Sequence, residues 1–210
     1  MIFYIDTSSS FLYTALYNNG DIISEKKLNL GKDLSKYTVD EVNKMFLEVN
    51  VKPSDIKKII VVNGPGSFTG IRIGITLAKL MAFCLNIPII TISSLEAMKE
   101  SIKTDKLIVP IINARRNSCY AAIYDNQKVI QEGIYMSLDK LKLILTGLNK
   151  DYLFVSNDSF DFETLNYDPD FKRIIDVYKD NEEVPAHLVN PNYLKLTEAE
   201  ENKMKEENND

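Results

Sequence analysis

The run Asn63-Gly64-Pro65-Gly66-Ser67-Phe68-Thr69-Gly70-Ile71-Arg72-Ile73-Gly74 holds the residue types from which an anion site could be built. It follows the β-branched run Ile59-Ile60-Val61-Val62 and leads into a long apolar helix pattern, so a glycine-rich corner falls between a strand end and a helix start. Backbone N–H groups and the helix dipole favour negative charge at such a point. Gly64 and Gly66 can take positive φ, Pro65 stiffens the turn between them, and Ser67 or Thr69 can cap the helix. A tight corner with no ligand fits the same residues. The spacing is neither G-x-x-x-x-G-K-[ST] nor G-x-G-x-x-G.

Other reactive side chains are few. His187 is the single histidine, which excludes a paired-histidine metal site and leaves a serine–histidine relay one candidate. Its setting, Pro185-Ala186-His187-Leu188, predicts a packed loop residue. Cys84 and Cys119 lack metal-ligand spacing and are expected to be reduced packing residues in a helix and a strand. Arg115 and Arg116 suit contact with phosphate or an acidic partner, and equally a solvated loop.

The elements that must position these residues occur twice. At an offset of 107, residues 13–25 lie over residues 120–132, and six of thirteen positions are identical: Tyr13/Tyr120, Ala15/Ala122, Tyr17/Tyr124, Asn19/Asn126, Ile23/Ile130 and Glu25/Glu132. The same offset puts Asp6 over Asn113, each closing an apolar strand. The repeated unit of three strands resembles an α/β architecture of duplicated actin/hexokinase/Hsp70-like (ribonuclease H-like) type. In ATPases of that group a carboxylate in each half helps hold metal-bound phosphates, which makes Asp6, Thr7, Gly64, Gly66 and Ser67 the candidate nucleotide contacts. Asn113 cannot take up charge, and Thr7-Ser8-Ser9-Ser10 offers no glycine for a phosphate turn. Asp6 could instead cap a turn by bonding its own backbone. The division expected is 1–104, 105–196 as a reduced second half, and an acidic tail 197–210. Helices are predicted over 34–49, 70–86 and about 139–148, the last capped by Ser137. Strands are predicted over 152–155 and around 171–178.

Within residues 70–86 only Arg72, Thr76, Lys79 and Asn86 are polar, so this helix should be covered on more than one side. Gly70, Gly74, Ala78 and Ala82 form a smooth stripe that could admit another backbone, although Gly70 and Gly74 equally fit the helix under its own sheet. The expected partner interface is Ile71, Gly74, Ile75, Ala78, Met81 and Ala82. Arg72 and Lys79 argue against a membrane span, and no secretory leader is evident, so a cytoplasmic location is expected. Residues 198–210 carry six acidic side chains against two lysines, a net of −4; taken from −5 for the chain, this leaves the body near −1. A chain that grips nucleic acid unaided usually carries a basic stripe.

The string Gly64 to Gly74 closely resembles the signature of the TsaB (YeaZ) family. The resemblance continues through Ile5-Asp6-Thr7, Ile92-Ser93-Ser94-Leu95-Glu96, Asn113-Ala114-Arg115-Arg116, Pro191-Asn192-Tyr193-Leu194 and Glu198-Ala199-Glu200. Many relatives carry Asp-Ala-Arg where Asn113-Ala114-Arg115 stands, and a His-containing motif where this chain reads Asp33-Leu34-Ser35-Lys36-Tyr37. The resemblance implies a non-catalytic subunit of the machinery that puts threonylcarbamoyl on a tRNA adenosine just 3′ of the anticodon. It implies the paralogue TsaD and the ATPase TsaE as partners, pairing through the first two helices, and homodimers when alone. It implies no cofactor for the isolated chain, with ATP or ADP and magnesium at the complex interface, and contact with tRNA only through the complex. The alternative that the residues leave open is an autonomous small ATPase or kinase of the actin-like superfamily.

Overall fold

Alternating side chains and an Asn19-Gly20 turn with φ of 51° and 95° fold Ile2–Asp6 (β1), Phe11–Asn18 (β2) and Asp21–Asn29 (β3) into an antiparallel meander. This is seen in a computed structural model, which describes residues 1–195; the acidic tail and Glu198-Ala199-Glu200 lie outside the described residues. Leu34–Glu48 (α1) crosses over to Lys58–Val62 (β4), parallel to β1. Phe68–Leu85 (α2) then leads to Ile89–Ile92 (β5), parallel to β4. The first sheet has the order β3-β2-β1-β4-β5.

After Ser94–Glu100 (α3) the pattern starts again. Leu107–Asn113 (β6), Ser118–Asp125 (β7) and Lys128–Ser137 (β8) form the second meander, and Leu138–Leu148 (α4) crosses to Tyr152–Val155 (β9), parallel to β6. The offset of 107 carries the bounds of β2 onto those of β7 residue for residue. It also carries the register shift at Leu16/Tyr17 onto the one at Ile123/Tyr124. The second sheet, β8-β7-β6-β9, has no counterpart of β5 among the described residues. The duplicated α/β fold with a reduced second half is therefore what the chain adopts.

Strand alternation sorts the core into layers. Phe3, Ile5, Ile59 and Val61 pack outward on α1 and α2, while Tyr4, Ile60 and Val62 face inward. Between the sheets lie α3 and Phe171–Tyr178 (α5), with Ile108, Ala122 and Tyr124 from the second sheet. The outer face of that sheet packs Val109, Ile111 and Ala121 on Leu141 and Leu145 of α4. The segment 171–178 is a helix, not the strand its Ile174-Ile175 and Val177 suggested. Phe171, Ile174, Ile175 and Tyr178 recur on one helical face and are buried, and the Asp170 side chain caps the N-terminus by accepting from the Arg173 N–H. Cys119 is buried as expected, whereas Cys84 is exposed. By length and composition α2 could cross a membrane, yet it packs Ile71, Ile75, Ala78 and Ala82 onto the first sheet.

Candidate functional site

A cleft of about 760 Å³ opens where β1 and β6 end side by side, bounded by the turn after each strand and the start of α2. Asp6, Gly66, Ser67, Asn113 and Arg115 line it; Thr7 and Gly64 do not. The reason is close packing of the glycine corner on the chain itself. A Cβ at Gly66 would sit 2.2 Å from the Ser8 carbonyl oxygen, and one at Gly70 would sit 2.1 Å from that of Thr7. The Ser67 N–H donates to the Ser8 carbonyl at 2.6 Å, and the buried Thr7 hydroxyl donates to the Gly70 carbonyl at 2.7 Å. Ser67 caps α2 by accepting from the Gly70 N–H at 3.2 Å. On the other side a Gly64 Cβ would meet the Asn192 carbonyl at 2.9 Å, and the Asn192 N–H donates to Asn63 at 2.8 Å. The 7–8 loop thus packs against the corner and takes up the Ser67 N–H, a donor that a phosphate there would need.

Asp6 and Asn113 do the same local work. The Asp6 carboxylate accepts the Ser8 N–H at 2.7 Å, and the Asn113 side-chain oxygen accepts the Arg115 N–H at 2.8 Å. Both close a turn two residues on, so the repeat extends to turn chemistry. Asp6 is 2% exposed, and burial pushes its carboxyl above the ordinary carboxylate range, against the opposing Ser8 bond. The strand-end pair is a poor match to a magnesium-bound nucleotide: burial raises the Asp6 carboxyl, its counterpart Asn113 is an amide already bonded, and the nearby Asp158 carboxylate on the cleft wall accepts the Asn113 N–H at 2.8 Å. Because the folded state favours neutral Asp6, its ionisation destabilises the fold above its raised pKa, and that cost disappears below the unfolded value. Asp6→Asn keeps the acceptor and is expected to melt higher than the wild type at neutral pH. The difference should fade as pH falls towards about 4. Equal melting curves at pH 7 would contradict this.

The stripe expected to face a partner faces inward. Ile71, Gly74, Ile75, Ala78 and Ala82 are buried in the chain's own core and Met81 is only partly exposed. Small residues are needed there because a Gly74 Cβ would lie 2.5 Å from the Thr7 hydroxyl oxygen. Ala78→Glu should therefore unfold the chain rather than block association: Ala78 is 0% exposed, and a buried unpaired charge costs about 3–5 kcal/mol. A folded Ala78→Glu protein by circular dichroism would refute that placement.

The outward face of α2 is a different set. Phe68, Leu80 and Phe83 are 57%, 59% and 80% exposed, in line with Arg72 and Thr76. The Arg72 guanidinium lies 3.7 Å from the Phe68 ring centroid and its Nε donates to the Tyr193 hydroxyl at 2.9 Å; the two rings stack at 5.4 Å. The Lys79 ammonium donates to the Val189 carbonyl at 2.9 Å. These contacts lay residues 186–193 along α2 and leave an apolar groove between them. His187 stands exposed on its rim, not packed in a loop. Alongside, α1 exposes Val39 and Leu47.

The family model described as "TsaD: tRNA N6-adenosine threonylcarbamoyltransferase" matches residues 30–176. The Bacillus subtilis (strain 168) protein "tRNA threonylcarbamoyladenosine biosynthesis protein TsaB" is 32% identical over 217 residues, covering 93% of this chain and 94% of that protein. The chain belongs to the TsaB family. The Escherichia coli (strain K12) TsaB is 28% identical over 127 residues, 59% of this chain and 54% of that one. "YeaZ from Pseudomonas aeruginosa" has the same fold, with a TM-score of 0.74 at 20% identity over 92% of this chain and 99% of that structure. In this TsaB chain the signature string is a packing hub. It joins the turn after β1, the start of α3 through the Ser94 hydroxyl on Pro65 (2.5 Å), and the 192–193 segment. Sequence reasoning missed Phe68 and Tyr193 as a pair; Pro191-Asn192-Tyr193-Leu194 was the available signal. Arg115 and Arg116 are exposed at the β6–β7 turn with φ of 64° and 50°.

Proposed function

We propose that this chain is a non-catalytic subunit that pairs with its paralogue TsaD and activates it for threonylcarbamoylation of the tRNA adenosine 3′ of the anticodon, with TsaE completing the machinery. The observation that carries this reading is the outward face of α2. A helix already seated on its own sheet that still presents Leu80, Phe83 and Phe68 has apolar surface left for another protein. The match of this chain to the TsaD family model supports a partner of like fold, so one related helix face can meet another. Alone, the chain uses that face to form a homodimer. A body near −1 in charge supports reaching tRNA through the complex, in the cytoplasm where tRNA is modified. ATP or ADP with magnesium at the complex interface would draw phosphate ligands from the partner, since the Ser67 N–H at the corner beside Asp6 is already taken by the Ser8 carbonyl. Co-purification with TsaD, with masses of the chain and the mixture by light scattering, tests the pairing. A chain that stays monomeric in both, or that binds Mg-ATP tightly by itself, would favour an autonomous ATPase instead.

A further inference from the structure

A second concavity, about 460 Å³, shares no residue with the cleft or the α2 groove and lies where the two halves meet. Lys99 and Lys103 come from α3 and the turn after it, Arg173 from α5, and Gln127 from the β7–β8 turn. Behind this wall Glu100 is 0% exposed and stands between two cations, the Lys99 ammonium and the Arg173 guanidinium, the latter with Nε 3.1 Å from the carboxylate. The Lys99 side chain is 7% exposed and its ammonium also donates to the Gln127 side-chain oxygen at 2.8 Å. Lys103 is exposed and makes no ion pair among the described residues. Asp105 is the carboxylate in the wall itself, so with Glu100 buried behind it three cations stand against two anions.

Lys99 and Arg173, both partly out of water, share the single buried carboxylate of Glu100, and such a surplus of positive charge is costly unless an anion meets it. The unused donors here suit an oxyanion: the remaining N–H groups of the Arg173 fork and the ammonium of Lys103. We propose that this concavity binds a phosphate group, free or on a nucleotide, clamped between α3, α5 and the β7–β8 turn. Because those walls belong to both halves, the bound anion fixes one half against the other. The proposal is independent of pairing with TsaD.

Calorimetric titration of the full chain tests it, with inorganic phosphate in one arm and adenosine 5′-monophosphate in the other, at constant ionic strength maintained with sodium chloride. Saturable binding is expected in at least one arm, and the tighter arm names the source. Lys103→Ala should weaken it about tenfold or more, as loss of a charge-assisted contact does, with an unchanged melting curve without phosphate. Lys106→Ala, outside the concavity, should bind like the wild type. The proposal is overturned by no saturable binding in either arm, by undiminished binding in Lys103→Ala, or by binding lost in Arg115→Ala, which would put the anion in the cleft.

Discussion

Phe83→Glu, and Leu80→Glu beside it, should abolish pairing with TsaD while leaving the fold intact. Phe83 is 80% exposed and Leu80 59%, so neither change opens a cavity, and glutamate is as good a helix former as either residue. At an interface each places an unpaired charge where an aromatic or aliphatic anchor would sit, a loss of about 2–4 kcal/mol. That corresponds to roughly a 30- to 1000-fold weaker complex. Sedimentation of each variant with TsaD gives the association, and circular dichroism of the same samples gives the fold. Normal association of both variants would show that this face is free in the complex.

Gly70→Ala is expected to destabilise the fold strongly. In an ordinary helix the change would stabilise by about 1 kcal/mol. Here the added Cβ would meet the Thr7 carbonyl oxygen at 2.1 Å, and the opposing atom belongs to a backbone that is itself held by the Thr7 hydroxyl bond to Gly70. Either α2 or the 7–8 loop must shift, at a cost of about 3 kcal/mol. For a chain of this size the melting temperature falls by about 10 °C. Gly147 in α4 is the internal comparison, since a Cβ there meets nothing within 4 Å, and Gly147→Ala should raise the melting temperature slightly. Two helical glycines thus give opposite signs. A Gly70→Ala protein as stable as the wild type would mean that the corner has slack.

Legibility followed the range of the interaction. The duplication could be read because strand, turn and strand are local patterns, and the identities Tyr13/Tyr120 and Tyr17/Tyr124 sit at fixed places in them. The Ser67 and Ser137 caps were legible for the same reason. Which side of α2 faces its own sheet was not, because a helix apolar nearly all round carries little phase information. Gly70 and Gly74 could be read as fitting the helix to its own domain, but not what they meet there: the Thr7 carbonyl at Gly70 and the Thr7 side chain at Gly74, more than sixty residues away in sequence. The helix at 171–178 was misread because Ile174-Ile175 and Val177 favour strands, while burial between two sheets decides by the spacing of Phe171, Ile174, Ile175 and Tyr178. Asp6, Gly66 and Ser67 line the cleft, while Thr7 and Gly64 are packed away from it. Their hydrogen-bond use was invisible, since it depends on Ser8 and Thr7 folding back into the corner.

The claim that matters most is activation of TsaD, and the direct measurement is threonylcarbamoyladenosine formed on tRNA by TsaD and TsaE with and without this chain. Digestion of the tRNA and quantification of the modified nucleoside reads it without assuming any mode of binding. The account predicts product that requires the wild-type chain and is lost with Phe83→Glu. Full product from TsaD and TsaE alone would contradict it.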